Sequence, residues 1–300
     1  MNLYEQRSSN IRRTWALVLG FLIVVIAVGY AISWYYGNPA ILYIAVFIAL
    51  ATNFYAYWYS DKLVLSLSRA RPATREEFFD LYTVTENLAI TAGLPKPKLY
   101  VIDDSAPNAF ATGRDENHAV VCATTGLLSM LTRPELEGVI AHELSHIKNR
   151  DILLMTVAVV LAGFVAIVAD IFLRTSHWDG IRGNNKQGNA ILVILIIVGV
   201  ILAPLAARLI QFAVSRRREF LADASGALLT RYPEGLATAL KKISSSNMPM
   251  RHASHATAHL FIDEPFGRPE NKRLAWIERL FSTHPPVQER IKALLNRQAE

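Results

Sequence analysis

Four long apolar stretches constrain the fold of this 300-residue chain more than any other feature of its sequence. They run from Trp15 to Trp34, from Ile41 to Trp58, from Ile152 to Leu173 and from Ala190 to Ala207. Each is close to the roughly 20 residues that an α-helix needs to cross a bilayer. Tryptophan and tyrosine lie at the ends of the first two stretches, as is typical of membrane interfaces. The sequence therefore predicts about four transmembrane helices, the first two joined in a tight hairpin.

The third and fourth stretches are less uniformly apolar at their margins than the first two. Asp170, Arg208 and Gln211 lie there, and ionisable or polar groups are costly inside a bilayer. A hairpin that dips into the membrane or is buried in protein is therefore an alternative to two full spans.

Basic residues at the ends of the apolar stretches predict the orientation of the chain, because positive charge concentrates in cytosolic flanks. Those around the first hairpin and after the fourth stretch are Arg7, Arg12, Arg13, Lys62, Arg69, Arg71, Arg75, Arg216, Arg217 and Arg218. The N-terminus and the larger polar segments are therefore expected on the cytosolic side. The loop between the third and fourth stretches departs from the rule, since it contains Arg174, Arg182 and Lys186. The chain has a net charge of +6, and its lysines and arginines lie beside apolar runs. This placement favours binding to an anionic membrane surface over binding to nucleic acid.

The remaining polar sequence forms two separated parts, residues 61–151 and 211–300. The N-terminal hairpin occupies residues 1–60, and the second hairpin, residues 152–210, is inserted between the two parts. In the first part, apolar residues at helical spacing end at Gly93 and predict a helix. Three β-prone segments follow and predict a small antiparallel sheet: "KLYVID", "NAFATG" and "HAVVCATTG". The expected fold class is α+β, mainly α.

The most specific motif is "HELSH", in which His142 and His146 are four residues apart and Glu143 follows the first. On a helix, side chains four apart lie on one face, so both imidazoles can bind one metal ion. Glu143 points away from that pair and can instead take the proton of a water on the open side of the metal. Thr132 and Glu135 have the spacing of a capping box and predict where the helix begins. A solvated helix turn is the alternative, although the apolar residues around the motif favour a helix buried on one side.

Two histidines leave a tetrahedral zinc ion in need of a third protein ligand. The segment "RREFLADASGALL" offers Glu219 and Asp223, again four apart on a predicted helix. We expect Glu219 to bind the metal and Asp223 to accept the free N–H of a ligand histidine. Alternatively, both carboxylates form ordinary salt bridges with the adjacent arginines.

The order of these motifs resembles one known family. "HELSH", the Glu-x-x-x-Asp of "EFLAD", the "NAFATG" segment and "STHPP", with apolar spans before and between them, are similar to the HtpX family. Its members are bacterial membrane zinc metalloproteases, relatives of the type I CAAX prenyl proteases. The resemblance covers nearly the whole chain and implies a zincin-like domain that binds one Zn²⁺ per subunit in a gluzincin-type site. The matching residues are His142, His146 and Glu219 as ligands, Glu143 as general base and acid, and Asp223 in support of a ligand histidine.

The resemblance also implies less specific roles around the cleft. The "NAFATG" strand would border it, and an exposed edge near Asn108 and Ala109 would hold an extended substrate by strand pairing. His284 and Arg290 match positions that approach the metal, where His284 would donate a hydrogen bond to the oxyanion of the reaction. The alternatives are a turn role for Asn108 and a helix-capping role for His284.

Two further features near the predicted site have open interpretations. His252, His255 and His259 have no acidic residue nearby, and we interpret them as a solvated helix face or cleft edge rather than a second metal site. Lys148 to Asp151 connect the metal motif to the third apolar stretch. The connection is either one continuous helix or two abutting helices.

Taken together, the residues and the resemblance predict a zinc-dependent endopeptidase embedded in the bacterial inner membrane. Its partners would be the lipid bilayer and protein substrates, with no role for nucleic acid. The substrates would be membrane or misfolded proteins, cleaved at the cytosolic face in protein quality control. Two alternatives share the metal site: a CAAX-type protease that processes prenyl peptides, and a non-catalytic membrane adaptor in which zinc is a structural clip.

Overall fold

The computed structural model of the chain describes residues 3–179, 215–246, 248–251, 253, 257–267 and 285–296. These residues form helices that surround a four-stranded sheet. The fourth apolar stretch, Ala190 to Ala207, lies outside them, so the expectation of four spanning helices is tested only in part.

The N-terminal hairpin consists of α1 (Leu3–Tyr36) and α2 (Ala40–Trp58). Both helices are long and apolar enough to cross a membrane, over Ser8–Tyr36 and Ala40–Trp58. Large apolar side chains project outward from them; Phe47, for example, is 72% exposed. Such a surface is unfavourable in water and favourable in lipid. The predicted helical hairpin is therefore present, and its length, composition and exposed apolar surface suit a membrane-spanning position.

The third apolar stretch lies in α7 (Asp151–Asp179), whose first turns are covered by protein. There α7 packs against α1, α2 and the short helix α3 (Ser60–Leu67). The Phe164 ring meets the Phe21 ring of α1 edge to face, with centroids 5.8 Å apart. Residues of α7 that are completely buried include Ile152, Leu154, Val157, Ala158 and Leu161. The described start of this stretch is therefore protein core.

The sheet is mixed, and the expectation of an antiparallel sheet is wrong in one pairing. Its strands are β1 (Arg71–Pro72), β2 (Lys98–Ile102), β3 (Ala109–Gly113) and β4 (Ala119–Thr124), in the order β1-β2-β4-β3. β3 and β4 form an antiparallel hairpin, but β2 runs parallel to β4. The chain leaves β2, passes over the neighbouring position and forms β3 one place further out. The return strand β4 then fills the gap, parallel to β2.

Local sequence signals determine where the helices around the metal motif begin and end. α4 (Phe79–Ala92) ends at Gly93, which has φ 68° and so takes the left-handed conformation that closes a helix. α6 (Arg133–Lys148) begins with the predicted capping box of Thr132 and Glu135. The other helices are α5 (Thr125–Met130), α8 (Arg216–Thr230), α9 (Pro233–Ser246) and α10 (Val287–Asn296), with short 3₁₀ turns at Glu116–His118 and Ala258–Leu260.

Apart from the N-terminal hairpin, the described elements are arranged around helix α6. It packs against α4, α8, α9 and β3. Its apolar residues Leu136, Val139, Ile140, Leu144 and Ile147 are at most 3% exposed. The alternative of a solvated helix turn is therefore wrong, because the metal motif lies on a helix that neighbouring elements hold on several sides.

The metal motif and the third apolar stretch lie on two abutting helices. α6 ends at Lys148 and α7 begins at Asp151. Between them Arg150 has φ 60°, in the left-handed region that non-glycine residues seldom adopt. The break redirects the chain, so Asp151 can face His146, which residues five apart on one continuous helix cannot do.

Gly138 allows α6 and α9 to pack closely. A Cβ atom at Gly138 would lie 2.5 Å from the backbone nitrogen of Leu236 and 2.8 Å from its Cα. The Gly138→Ala substitution should therefore destabilise the protein by about 1–3 kcal/mol, a typical cost of overpacking. Thermal unfolding in detergent measures the loss. Gly20→Ala in α1 is the matched control, since nothing lies within 4 Å of the added methyl group, and it should not lower the melting temperature. Equal melting temperatures for the two variants would contradict the close contact.

Candidate metal centre

His142 and His146 present two ring nitrogens to one point in the protein interior. They lie one turn apart on α6, and their Nε2 atoms are 3.1 Å apart. The two rings meet nearly at right angles, with an interplanar angle of 88°. His142 is 1% exposed and His146 is 6% exposed. The predicted convergence of the two imidazoles is thus present in the structure.

Glu219, on α8, completes a group of three donors. Its carboxylate oxygens lie 3.7 Å from His142 Nε2 and 3.5 Å from His146 Nε2. Among the described residues, these three side chains form the single group of at least three possible ligands whose donor atoms all lie within 4.8 Å of one another. In a tetrahedral zinc site with bonds of about 2.0–2.2 Å, neighbouring donors are about 3.3–3.6 Å apart. The observed separations bracket that range, so the residues fit a zinc ion.

Helix α8 approaches α6 closely at the first histidine. A Cβ atom at Gly226 would lie only 3.0 Å from the backbone nitrogen of His142. Asp223 precedes this contact by about one helical turn and Glu219 by about two. The spacing therefore places both carboxylates along the face of α8 that meets α6.

The back of His142 is held by a carboxylate and a buried arginine. Asp223 Oδ1 lies 2.9 Å from His142 Nδ1. Arg290 of α10, completely buried, donates to both oxygens of Asp223 at 2.8 and 2.7 Å. Burial alone would raise the pKa of Asp223, but the charge and hydrogen bonds of Arg290 outweigh it and lower the pKa to about 2. Asp223 is thus an ionised acceptor for the Nδ1–H of His142, and Arg290 lies behind it.

The back of His146 is held by Asp151, a residue to which the sequence pattern assigned no such role. Asp151 Oδ2 lies 3.0 Å from His146 Nδ1. Burial alone would lower the pKa of His146, but the hydrogen bond from Asp151 and the charge of Glu219 raise it to about 9. The surrounding carboxylates therefore favour positive charge at this point. A bound divalent cation would meet the same preference.

Glu143 is buried next to the donor group. It is 2% exposed, and its charge interacts with His142, His146, Glu219 and Arg290. Burial raises the pKa of Glu143, while the two histidines act in the opposite direction. A carboxylate in this environment is suited to holding and releasing a proton.

The edge of the sheet at Asn108 and Ala109 is covered, so the expectation of an exposed edge is wrong. β3 is an edge strand by sheet order, yet Ile262 N donates to Ala109 O at 2.9 Å. The side-chain amide of Asn108 donates to Asp263 O at 2.9 Å, and its oxygen accepts from Asp263 N at 3.3 Å. Asn108 is therefore more than a turn residue, since it pairs with the main chain of the covering segment.

Of the remaining histidines for which the sequence suggested a role, the structure describes His259 alone. His284 lies outside the described residues, as do His252 and His255. His259 is 1% exposed, so its interpretation as part of a solvated face is wrong. It belongs to the 3₁₀ turn that leads into Leu260 and Phe261, and Phe261 packs against Phe110 of β3 with ring centroids 5.1 Å apart.

The fold and the buried donor group are those of a metallopeptidase. Comparisons with known proteins lead to the same class. A family model described as peptidase family M48 matches residues 75–298. A protease HtpX homolog from Thermoanaerobacter pseudethanolicus is 49% identical over 298 residues and matches 97% of each chain. Homologs of the same name from Pyrococcus furiosus and Streptococcus gordonii are 46% and 39% identical, over 93% and 97% of this chain. The chain therefore belongs to peptidase family M48 and, within it, to the HtpX membrane metalloproteases.

A solved structure shares the fold. The crystal structure of S. mikatae Ste24p superposes with a TM-score of 0.52 at 20% identity, over 97% of this chain and 67% of the other. At that identity the likeness concerns the fold alone. It supports the expected zincin-like arrangement, in which helices carry the donor residues beside a small sheet.

Zinc should stabilise the purified protein through these three donors. At free zinc of about 100 times Kd, binding adds about 2.7 kcal/mol to the free energy of unfolding, so the melting temperature rises with zinc. Glu219→Gln removes the anionic donor and should lose most of that rise. His118→Gln changes a half-exposed histidine outside the donor group and should retain it. An undiminished zinc-dependent rise in Glu219→Gln would show that the metal binds elsewhere.

Proposed function

We propose that this membrane metalloprotease is a zinc-dependent endopeptidase that cleaves membrane or misfolded proteins at the cytosolic face of the plasma membrane, in protein quality control. The observation that carries the proposal is the convergence of His142, His146 and Glu219, with Glu143 buried beside them. Two neutral imidazoles and one carboxylate form the donor set of a catalytic zinc site, which keeps one position open for water or substrate.

The position of the donor group beside the apolar helices supports a membrane-associated substrate. Two residues separate α6, which holds the two histidines, from α7, and α7 packs against the spanning candidates α1 and α2. The basic flanks of the hairpin favour a cytosolic site. Segments that emerge from or fail to enter the bilayer would be within reach.

The chain's own side chains would perform defined steps in hydrolysis. Zinc, when held by His142, His146 and Glu219, supplies Lewis-acid polarisation of the scissile carbonyl and acidifies water. A carboxylate oxygen of Glu143 takes the proton of the attacking water and passes it to the leaving amine. The carboxylates behind the histidines hold the Nδ1 protons, so each Nε2 lone pair faces the metal position.

The alternative of a structural zinc clip requires a fourth protein ligand. Within the described residues, the ligand group contains three side chains. Asp223, a further carboxylate beside His142, is occupied by the guanidinium of Arg290 and by His142 Nδ1. A group of three protein ligands would leave a tetrahedral zinc ion one position for water, which favours the enzyme over the adaptor.

The role of Glu143 is tested by the Glu143→Gln substitution. It should lower the turnover of unfolded, unprenylated casein by about 10²–10⁴-fold, the usual contribution of a general base, and leave zinc content unchanged. Detergent-purified protein serves for both the proteolysis assay and the metal analysis. Glu137→Gln is the matched control, because Glu137 lies on the same helix in a surface ion pair with Arg133.

Three outcomes decide between the functions. Turnover by Glu143→Gln equal to that of the wild type would contradict the mechanism. Zinc binding by the wild type without cleavage of any unfolded substrate would favour the adaptor. Cleavage restricted to prenylated peptides would favour CAAX-type processing.

The proposed substrate strand binds along β3 at Asn108 and Ala109, in place of residues 262 and 263. Strand pairing gives an extended peptide main-chain hydrogen bonds regardless of its sequence, as an enzyme for unfolded chains requires. In the structure those same groups are paired with Ile262 and Asp263. Substrate and covering segment therefore compete for one edge.

Hydrogen exchange tests this competition. In Glu143→Gln protein saturated with an unfolded peptide, amides within residues 257–267 should exchange at least about tenfold faster, because displaced amides lose their partners. The amides of β4, which keep their pairing with β2 and β3, serve as the internal control. Unchanged exchange in residues 257–267 with the peptide bound would place the substrate elsewhere.

A further inference from the structure

A buried polar cluster connects the N-terminal hairpin to the metal centre. It consists of Asn10 of α1, Asn149, Asp151 of α7 and Arg218 of α8, and we refer to it as the Asp151 cluster. These four residues are between 1% and 3% exposed. Polar groups are buried at a cost unless they are hydrogen-bonded, so such a cluster between apolar helices calls for a physical explanation.

The hydrogen bonds of the cluster form a chain that ends at a metal-site histidine. Asp151 has one oxygen on His146 Nδ1 at 3.0 Å, and its other oxygen accepts from Asn10 Nδ2 at 2.6 Å. Asn10 Nδ2 also donates to the backbone oxygen of Asn149 at 3.0 Å. Arg218 Nη1 donates to Asn10 Oδ1 at 3.3 Å, and Arg218 Nε lies 3.6 Å from Asp151. Both ends of the Asn10 amide are therefore engaged.

Arg218 does not have the role that the sequence predicted for it. The sequence suggested that Arg218, like its neighbours Arg216 and Arg217, marks the cytosolic flank of a span. In the structure Arg218 is 3% exposed and faces Asp151 and Asn10. It supplies positive charge beside a buried carboxylate, which lowers the cost of keeping Asp151 away from water.

The orientation of a metal-binding histidine depends on the partner of its second ring nitrogen. Asp151 provides that partner for His146, and its own orientation depends on the groups that hold its second oxygen. The shortest of those contacts comes from Asn10, 141 residues away in the chain. Asn10 also lies outside residues 75–298, the part that matches the peptidase family model.

We propose that Asn10 is a positioning residue of the metal centre, which acts through Asp151 to fix the His146 imidazole in its metal-binding orientation. The packing of α1 against α7 thereby becomes a determinant of metal affinity. The inference rests on the proposed assignment of His146 as a zinc ligand. It assigns to the first candidate membrane helix a part in building the site, in addition to anchoring.

Zinc affinity of the full-length, detergent-purified protein tests the proposal directly. Competition with a chromophoric chelator should show about 10–100-fold weaker binding for Asn10→Ala, the usual effect of removing an outer support of a metal ligand. Asp151→Ala should weaken binding at least as much. Asn53→Ala is the matched control, because Asn53 lies on α2 and its amide donates only to Ala49 of the same helix among the described contacts. It should leave the affinity unchanged.

The double variant distinguishes positioning from general destabilisation. If Asn10 acts through Asp151, Asn10→Ala combined with Asp151→Ala should bind zinc no more weakly than Asp151→Ala alone. Multiplication of the two losses would overturn the proposal, as would an affinity of Asn10→Ala within about threefold of the wild type. Circular dichroism at the assay temperature confirms that each variant is folded.

A second substitution covers the possibility that Asn10→Ala does not fold. Asn10→Leu retains the approximate size of the side chain, removes the amide donor to Asp151 without adding charge, and should weaken zinc binding to a similar extent. Wild-type affinity in Asn10→Leu would overturn the proposal. Failure of the zinc-site assignment is separately visible, because Glu219→Gln would then bind zinc as tightly as the wild type.

Discussion

The close approach of α8 to α6 at His142 is the contact on which the rest of the site depends. The absence of a side chain at Gly226 favours it, because a Cβ atom there would lie 3.0 Å from the His142 backbone nitrogen, a tight contact. With the helices at this distance, the spacing along α8 places Asp223 behind His142 and Glu219 in front of it. The histidines and Glu219 lie far apart in the sequence, and they meet because α6 and α8 pack directly against each other.

The two histidines are supported from opposite ends of the chain. His142 is held by Asp223, which Arg290 of the last described helix binds through two hydrogen bonds. His146 is held by Asp151, which Asn10 of the first helix binds. Each support is a buried carboxylate with a cationic or amide partner, the arrangement in which ionised groups are tolerated in a protein interior. Elements from both ends of the chain therefore contribute contacts behind the donor group.

Local signals predicted much of this structure, and long-range contacts account for what they missed. The capping box of Thr132, the end of α4 at Gly93 and the one-face spacing of the two histidines depend on neighbours within a few residues. The parallel pairing of β2 with β4 depends instead on the order in which strands assemble. The role of Asp151 follows from a backbone break at Arg150, and that of Asn10 from packing over 141 residues. No periodicity in the sequence encodes such contacts.

Ile262 and Asp263 are paired with Ala109 and Asn108, so a chain that binds at this edge must compete with the segment that contains them. Because the segment is tethered to the same chain, its effective concentration at the edge is on the order of millimolar, as for short linkers in general. A short peptide that offers only a few main-chain hydrogen bonds competes poorly with such a neighbour. A long unfolded chain that makes a second contact elsewhere on the protein binds at two places and gains by avidity. Discrimination would then favour length and lack of structure over any particular residue at the cleavage point.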